Sequence, residues 1–478
     1  MPSLSGPGAG AEPVGDLAIV LHSHMPYVEG FGTYPFGEEW LFDAVCRSYL
    51  PVMEVARDLT ATVTPVLADQ LEAPGVAERL RAFVSEYRVG SARADASDAD
   101  GELRPACAAE ASRYGAAQAR LEGLGDDLLA IFTRPAARAG VELVSSAATH
   151  AVLPLLASTA GARLQVDAGL RSHRRRFGEP AGFWLPECAY EPGVERLLAE
   201  RGFRYFCVDQ SAHEGGLAAL APVATREGPV ALTIDWEAIG WLWEMDGYPS
   251  DPGHADFHRK SLRGTRPWAI SGEPYEPSAA ASRARDQGRE FLASMAERLG
   301  AFRAERGRPG LSVFAIDTEL LGHWWWEGPE WLAAVLDGAA GAGIRLVTLS
   351  DGLASHPGED RALAASTWGE GKDLRTWDSP SVADLAFAAR RLELRLLRGV
   401  RSGATAGAAA ERATRELLAL QASDWAFLDS RGQAGDYPYA RAVAHGEALL
   451  EAINSPALQD GRLRNLAPDL SLTPLFEP

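Results

Sequence analysis

The chain has 478 residues and a formal charge of −19, with 46% hydrophobic and 23% charged residues. This balance excludes disordered, collagen-like and disulfide-scaffold classes, and so acidic a surface repels phosphate backbones and anionic membranes, so neither nucleic acid nor membrane is an expected partner. Cys46, Cys107, Cys188 and Cys207 form no Cys-x-x-Cys pair, which favours reduced thiols in a cytoplasm over a zinc site or disulfide framework.

Residues 1–15 lack the basic and apolar regions of a signal peptide and read as a disordered leader, and no later run approaches the roughly 18 apolar residues of a membrane span. Short apolar runs then predict buried strands at 17–21 (LAIVL), 61–67, 141–146, 183–187, 204–209, 311–317 and 344–349, several of them separated by helical segments. This alternation predicts an α/β fold, a distorted (β/α)7 barrel built from residues 16–71 and 139–360. Residues 72–138 break the rhythm with Glu, Arg, Ala and Leu at helical spacing, the pattern of an inserted helical hairpin. Residues 361–478 read as a C-terminal helical domain contributing to the cleft, its helices starting near Val382.

In a parallel barrel the chemistry belongs at the carboxyl ends of the strands, where the loops converge on one mouth. Those ends carry His22 and His24 on the first strand, Trp184 and Glu187 on the fourth, Asp209 on the fifth, and Asp317 and Glu319 on a late one. Glu187 and Asp317 suit glycoside chemistry, in which an ionised carboxylate attacks the anomeric carbon and a protonated one serves the leaving oxygen. Asp209 and Asp235 compete for these roles. Tryptophans near the same motifs, among them Trp184, Trp325, Trp368 and Trp377, offer indole faces for the C–H face of a pyranose. His22 and His24 have the i, i+2 spacing of two metal ligands, but no third ligand stands at a recognisable distance, so contacts to sugar hydroxyls are expected instead. Cys188 reads as structural.

Taken in order, LHSHMPYV (21–28), SAATHAVLPLL (146–156), GFWLPECAYEPGV (182–194), FAIDTELLGHWWWEGPEWL (314–332) and STWGEGKDLRTW (366–377) resemble the five conserved regions of glycoside hydrolase family 57, branching-enzyme-like members in particular. ASDWAFL (422–428) is similar to the helical domain's share of the cleft. The resemblance implies a retaining enzyme acting on α-1,4-glucan without metal or organic cofactor, Glu187 being the nucleophile and Asp317 the general acid/base. It implies His22, His24 and His150 around the cleaved glucose and Trp40, Trp368, Trp377 and Trp425 along the grooves; Trp184, Asp209, Trp325 and Asp424 complete the expected substrate contacts. α-Amylase or 4-α-glucanotransferase activity on the same scaffold, and an inactive glycan-binding protein, are the alternatives. Two departures stand out: Lys372 interrupts the small residues after Trp368, and the segment between Asp209 and Asp235 is shorter than in branching members and has no aromatic residue. Without an aromatic lid, water competes with a sugar acceptor, so appreciable hydrolysis is expected beside transfer.

Overall fold

The structure is a computed structural model that describes residues 12–32, 36–213, 215–454, 463 and 465–477. Residues 1–11 of the expected leader lie outside it, and Gly15 already begins the first strand.

Seven parallel strands form the barrel: β1 (Gly15–Ser23), β2 (Thr60–Val63), β3 (Glu142–Ser146), β4 (Gly182–Trp184), β5 (Tyr205–Val208), β6 (Val230–Thr233) and β7 (Leu311–Asp317). Their order is β6-β5-β4-β3-β2-β1-β7. A parallel bridge from Ile234 to Val313, with the Asp235 amide donating to the Val313 carbonyl at 2.9 Å, brings β6 back to β7 and completes the ring. The sequence predicted seven strands but chose one wrongly. Ile344–Leu346 pairs only with the first residues of β1, while β6 takes the barrel position. The expected strand at 61–67 also ends early, because Pro65 opens the helix Pro65–Leu71.

Side chains alternate across a strand, so one residue in two points into the barrel. Ala18 and Val20 of β1, Trp184 of β4, Leu232 of β6, and Val313 and Ala315 of β7 share one interior cluster. The next residues in those series are His22 and Asp317, which are register partners on neighbouring strands. The pleat therefore lifts both out of the apolar filling and into the mouth.

The segment between β2 and β3 is largely helical and includes Arg104–Leu124 and Ala130–Arg138. After the barrel come the helices Ala383–Arg401, Gly407–Leu420, Ser423–Ser430 and Tyr437–Asn454. Their apolar faces bury Leu396, Leu417, Leu418 and Leu449 in one cluster with Tyr27, Val66 and Leu164 of the barrel. This shared core seats the helical region against the mouth. No helix of the described residues is long and apolar enough to cross a membrane.

Candidate active site

Glu187 sits on a tight turn, Pro186–Cys188, directly beyond β4. Its backbone is left-handed, at φ 60° and ψ 19°, and Cys188 follows at φ 48°. Neither residue has the freedom of glycine, so the turn holds strain of the kind that accumulates at functional sites. Trp368 secures it twice: its amide donates to the Glu187 carbonyl and its indole N–H to Glu187 Oε2, both at 3.0 Å. Ser423 stands beside the same carboxylate and favours its ionised form, and His150 Nδ1 lies 3.5 Å from Oε1.

Three histidines pack beside it. His22 Nε2 and His150 Nε2 are 3.0 Å apart, so one donates and the other accepts. His150 Nδ1 is 2.9 Å from Ser423 Oγ, and the His22 ring stacks on Trp184 at 4.7 Å. Burial first, and then the charge of His24, holds His22 and His150 well below the usual histidine range, which keeps both neutral. His24 behaves oppositely. Burial pulls it down, but Asp424, Glu319 and Glu187 outweigh this and raise it. Its Nε2 is 3.0 Å from Asp424 Oδ1 and its Nδ1 is 3.0 Å from Thr64 Oγ1.

Burial pushes the Glu187 carboxyl up to about 7, with Asp317 and Asp424 adding to the push and the Trp368 hydrogen bond and neighbouring Ser423 opposing it. Burial likewise lifts Asp317 to about 6, against the pull of His24. Glu319, bonded by the Tyr49 hydroxyl and the His24 amide, is raised to about 7 by burial and by Asp317. Cys188 is fully buried among Asp209, Glu187 and Asp317, and burial followed by neighbouring charge pushes its thiol far up, so it is inert.

The site thus brings together Glu187, Asp317, His22, His24, His150, Trp184, Trp368 and Asp424. Trp40 stands at the side, half-buried, with its ring 5.5 Å from Tyr437 of the helical region. Asp209 is fully engaged: Ser211 holds Oδ1, while Trp236 Nε1 and Lys372 Nζ each lie 3.1 Å from Oδ2. Three tryptophans expected to contact substrate lie in packing instead. Trp325 is 1% exposed in the main core with its indole N–H on His254, while its neighbour Trp324 is the exposed ring. Trp425 is 1% exposed and donates to the Ala419 carbonyl inside the helical region. Trp377 is buried against Val152 and Ala189, underneath Gly369, where any side chain would strike its ring. Asp235, the other competing carboxylate, is buried and gripped at both oxygens by Arg298 at 2.8 Å, which ties the long helix Pro277–Arg306 to the barrel.

Sequence reasoning missed Ser423, Thr64, Tyr49 and the partnership of Lys372. Lys372 is itself left-handed (φ 59°), and besides binding Asp209 it places its ammonium 4.8 Å from the centre of the Trp236 ring. Its signal was present as the one cation in a loop of otherwise small and acidic residues (369–373). Among the described residues no three His, Cys, Asp or Glu side chains are arranged to hold a metal ion.

A model of glycosyl hydrolase family 57 matches residues 18–232, and a model of the 1,4-alpha-glucan branching enzyme C-terminal region matches residues 387–474. The chain is 32% identical over 492 residues to a 1,4-alpha-glucan branching enzyme of Thermococcus kodakarensis, covering 90% of this chain and 72% of that protein. It is also 32% identical over 501 residues to a probable 1,4-alpha-glucan branching enzyme of Mycobacterium tuberculosis, covering 95% of this chain and 94% of that one. The crystal structure of a GH57-type branching enzyme from Pyrococcus horikoshii superposes with a TM-score of 0.89 at 30% identity, over 97% of each chain. With family-model matches at both ends and relatives aligned along nearly the whole length, the chain belongs to glycosyl hydrolase family 57.

Proposed function

We propose that the protein is a retaining α-glucan enzyme of the branching type, which cleaves an α-1,4 link and passes the glucan to a 6-hydroxyl. The observation that carries the division of labour is an asymmetry between the two carboxyl groups. Trp368 donates to Glu187 and aims it, with Ser423 beside it favouring the ionised form, whereas no hydrogen bond engages the Asp317 carboxyl among the described residues. A nucleophile needs a fixed direction, and an acid/base must be free to pass its proton outward and back.

In this reading Glu187 attacks the anomeric carbon while Asp317 protonates the departing glycosidic oxygen. Asp317 then takes the proton from the incoming 6-hydroxyl as that oxygen displaces Glu187. Neutral His22 and His150 and charged His24 offer hydrogen bonds to the hydroxyls of the glucose being transferred. The names of the relatives support transfer over plain hydrolysis. Trp236, 38% exposed and held by Asp209 and Lys372, supplies at the rim an aromatic face that the preceding loop lacks. One indole is a partial cover, so release to water accompanies transfer.

The test is the product pattern on amylose. New α-1,6 links, revealed by debranching and chain-length profiling, should form alongside measurable reducing ends. Reducing ends without any branches would assign the chain to hydrolysis, and linear chains redistributed in length to 4-α-glucan transfer.

A further inference from the structure

Away from the carboxylates, where the helix Arg104–Leu124 meets loop residues 256–266 and the turn after β7, lies a group of cations that the glucan chemistry does not use. Arg266 is 4% exposed, yet among the described residues no carboxylate lies within ion-pair distance of its guanidinium. Its Nη1 donates to the His323 carbonyl at 2.8 Å, and its Nε is buried without a partner. Arg47 Nη1 and His323 Nδ1 are buried and unpartnered as well. Nearby carboxylates are committed elsewhere. Glu110 takes Arg47 Nη2 through one oxygen and the Arg266 amide through the other, both at 2.7 Å. Asp43 is held by Arg88 and by the Tyr114 hydroxyl, and Glu39 faces Arg88 at 3.7 Å and is raised by burial to about 7. Exposed Lys260 stands at the rim, 4.9 Å from the centre of the Phe257 ring, and Phe257 stacks at 5.0 Å on the half-exposed Trp324.

Buried charges in folded proteins are paired, because an uncompensated one forfeits its hydration. Here Arg47 Nη1, Arg266 Nε and His323 Nδ1 are each buried without a hydrogen-bond partner, in a chain whose net charge is strongly negative; among the described residues Arg47 has Glu110 as its one ion-pair partner, and Arg266 has only the Phe257 ring, 4.5 Å from its guanidinium, in place of a carboxylate. We propose that Arg47, Arg266 and His323, with Lys260 at the entrance, bind a phosphate-type dianion, either inorganic phosphate or the phosphate group of a phosphosugar whose ring lies on Trp324. Planar guanidinium groups suit phosphate oxygens, and a neutral imidazole donates through Nδ1 in one tautomer. The electrostatics agree: burial, and then the charge of Arg47, pulls Arg266 down to about 9, and burial followed by Arg266 and Arg47 pulls His323 down to about 3.

Calorimetry and thermal melts in phosphate- and sulfate-free buffer test this independently of any glucan activity. Inorganic phosphate should bind saturably and raise the melting temperature of the parent protein, with sodium chloride at equal ionic strength doing neither. Lys260→Ala, on the surface, should weaken phosphate about tenfold. Arg266→Gln should abolish the response while melting no lower than the parent without phosphate, since it removes an unpaired buried charge. Glucose 1-phosphate binding at least tenfold tighter than phosphate, with the advantage lost in Trp324→Ala, would identify a phosphosugar; equal affinities would identify free phosphate. No saturable phosphate binding by the parent, or an undiminished response in both Lys260→Ala and Arg266→Gln, overturns the proposal. So does an Arg266→Gln protein that melts well below the parent in phosphate-free buffer, because Arg266 would then be a structural cation.

Discussion

Trp368 binds Glu187 through its backbone amide and its indole at once, so the loop carrying the tryptophan and the turn carrying the carboxylate are fixed as one unit. Glu187→Gln and Asp317→Asn should each abolish turnover and keep the fold. Because folding raises the Glu187 carboxyl from 4.5 to about 7, the protonated group is the one the fold tolerates. Its contribution to stability is present below pH 4.5 and lost as pH rises through 7, a difference on the order of 3 kcal/mol at pH 8. Glu187→Gln should therefore melt above the parent at pH 8 and level with it near pH 4. With Glu187 near 7 and Asp317 near 6, the pair carries a single proton chiefly between those values; the productive arrangement, Glu187 ionised and Asp317 protonated, is the minor form of that state, and kcat/KM should fall on either side. Activity still rising at pH 9 would remove this pair from the mechanism.

The His24–Asp424 pair gives a second pH signature. Since the folded protein raises His24, the pair's stabilisation is complete below the unfolded pKa of about 6.5 and disappears as pH climbs through the folded value. Melting curves should show Asp424→Asn well below the parent near pH 5.5, with the gap closing toward pH 9. A gap independent of pH would mean that His24 donates to Asp424 as a neutral imidazole throughout the range.

Trp425→Ala should be a stability mutant. Removing a 1% exposed indole and its bond to the Ala419 carbonyl should cost about 3–5 kcal/mol. Glucan affinity of the protein that remains folded should stay near the parent's, measured at a temperature below both melts; a pure affinity defect would return Trp425 to the groove.

Trp236→Ala should shift the partition of the glucosyl-enzyme toward water. The expected ratio of reducing ends to new α-1,6 links rises severalfold, and Lys372→Ala, which loosens the same indole, should move it in the same direction by less. An unchanged ratio in both would place the acceptor elsewhere.

Asp235→Asn addresses the remaining carboxylate. Arg298, itself buried, would keep only the exposed Glu237 as its carboxylate partner, a loss of about 1–3 kcal/mol in stability, yet the activity per folded molecule should survive, as judged by kcat at reduced temperature. Loss of kcat without loss of stability would reopen the choice of catalytic carboxylate.

Much of this site was legible because two periodicities agree. Alternation along β1 and β7 carries an apolar interior row up to His22 and Asp317, and a strand-end reading finds both without a structure. The strand β6 was hidden because four residues bounded by Gly228-Pro229 and Ile234-Asp235 show too little pattern to separate from a loop. Aromatics were the weakest guide. Trp324, Trp325 and Trp326 are adjacent in sequence, but the first is 50% exposed while the others are 1% and 5%; a tryptophan's affinity for sugar and its affinity for a core are the same property, and only packing tells them apart. The motif around residue 424 led to the right place and to Asp424, which reaches the site with Ser423, but also to Trp425, which anchors the helix behind them.

The bond between His24 and Asp424 also sets a timetable. Its partners are 400 residues apart, so on a ribosome adding about 5–20 residues per second the early histidine waits some 20–80 s for its carboxylate to be made. Late in that interval, once Asp317 has been made, a nascent barrel has both carboxyl groups but lacks Ser423 and Asp424, and the turn bearing Glu187 is only partly braced. Catalytic competence therefore arrives with the last fifth of the chain, and a product clipped before residue 423 by protease or premature termination is a glucan enzyme in composition but idle in practice.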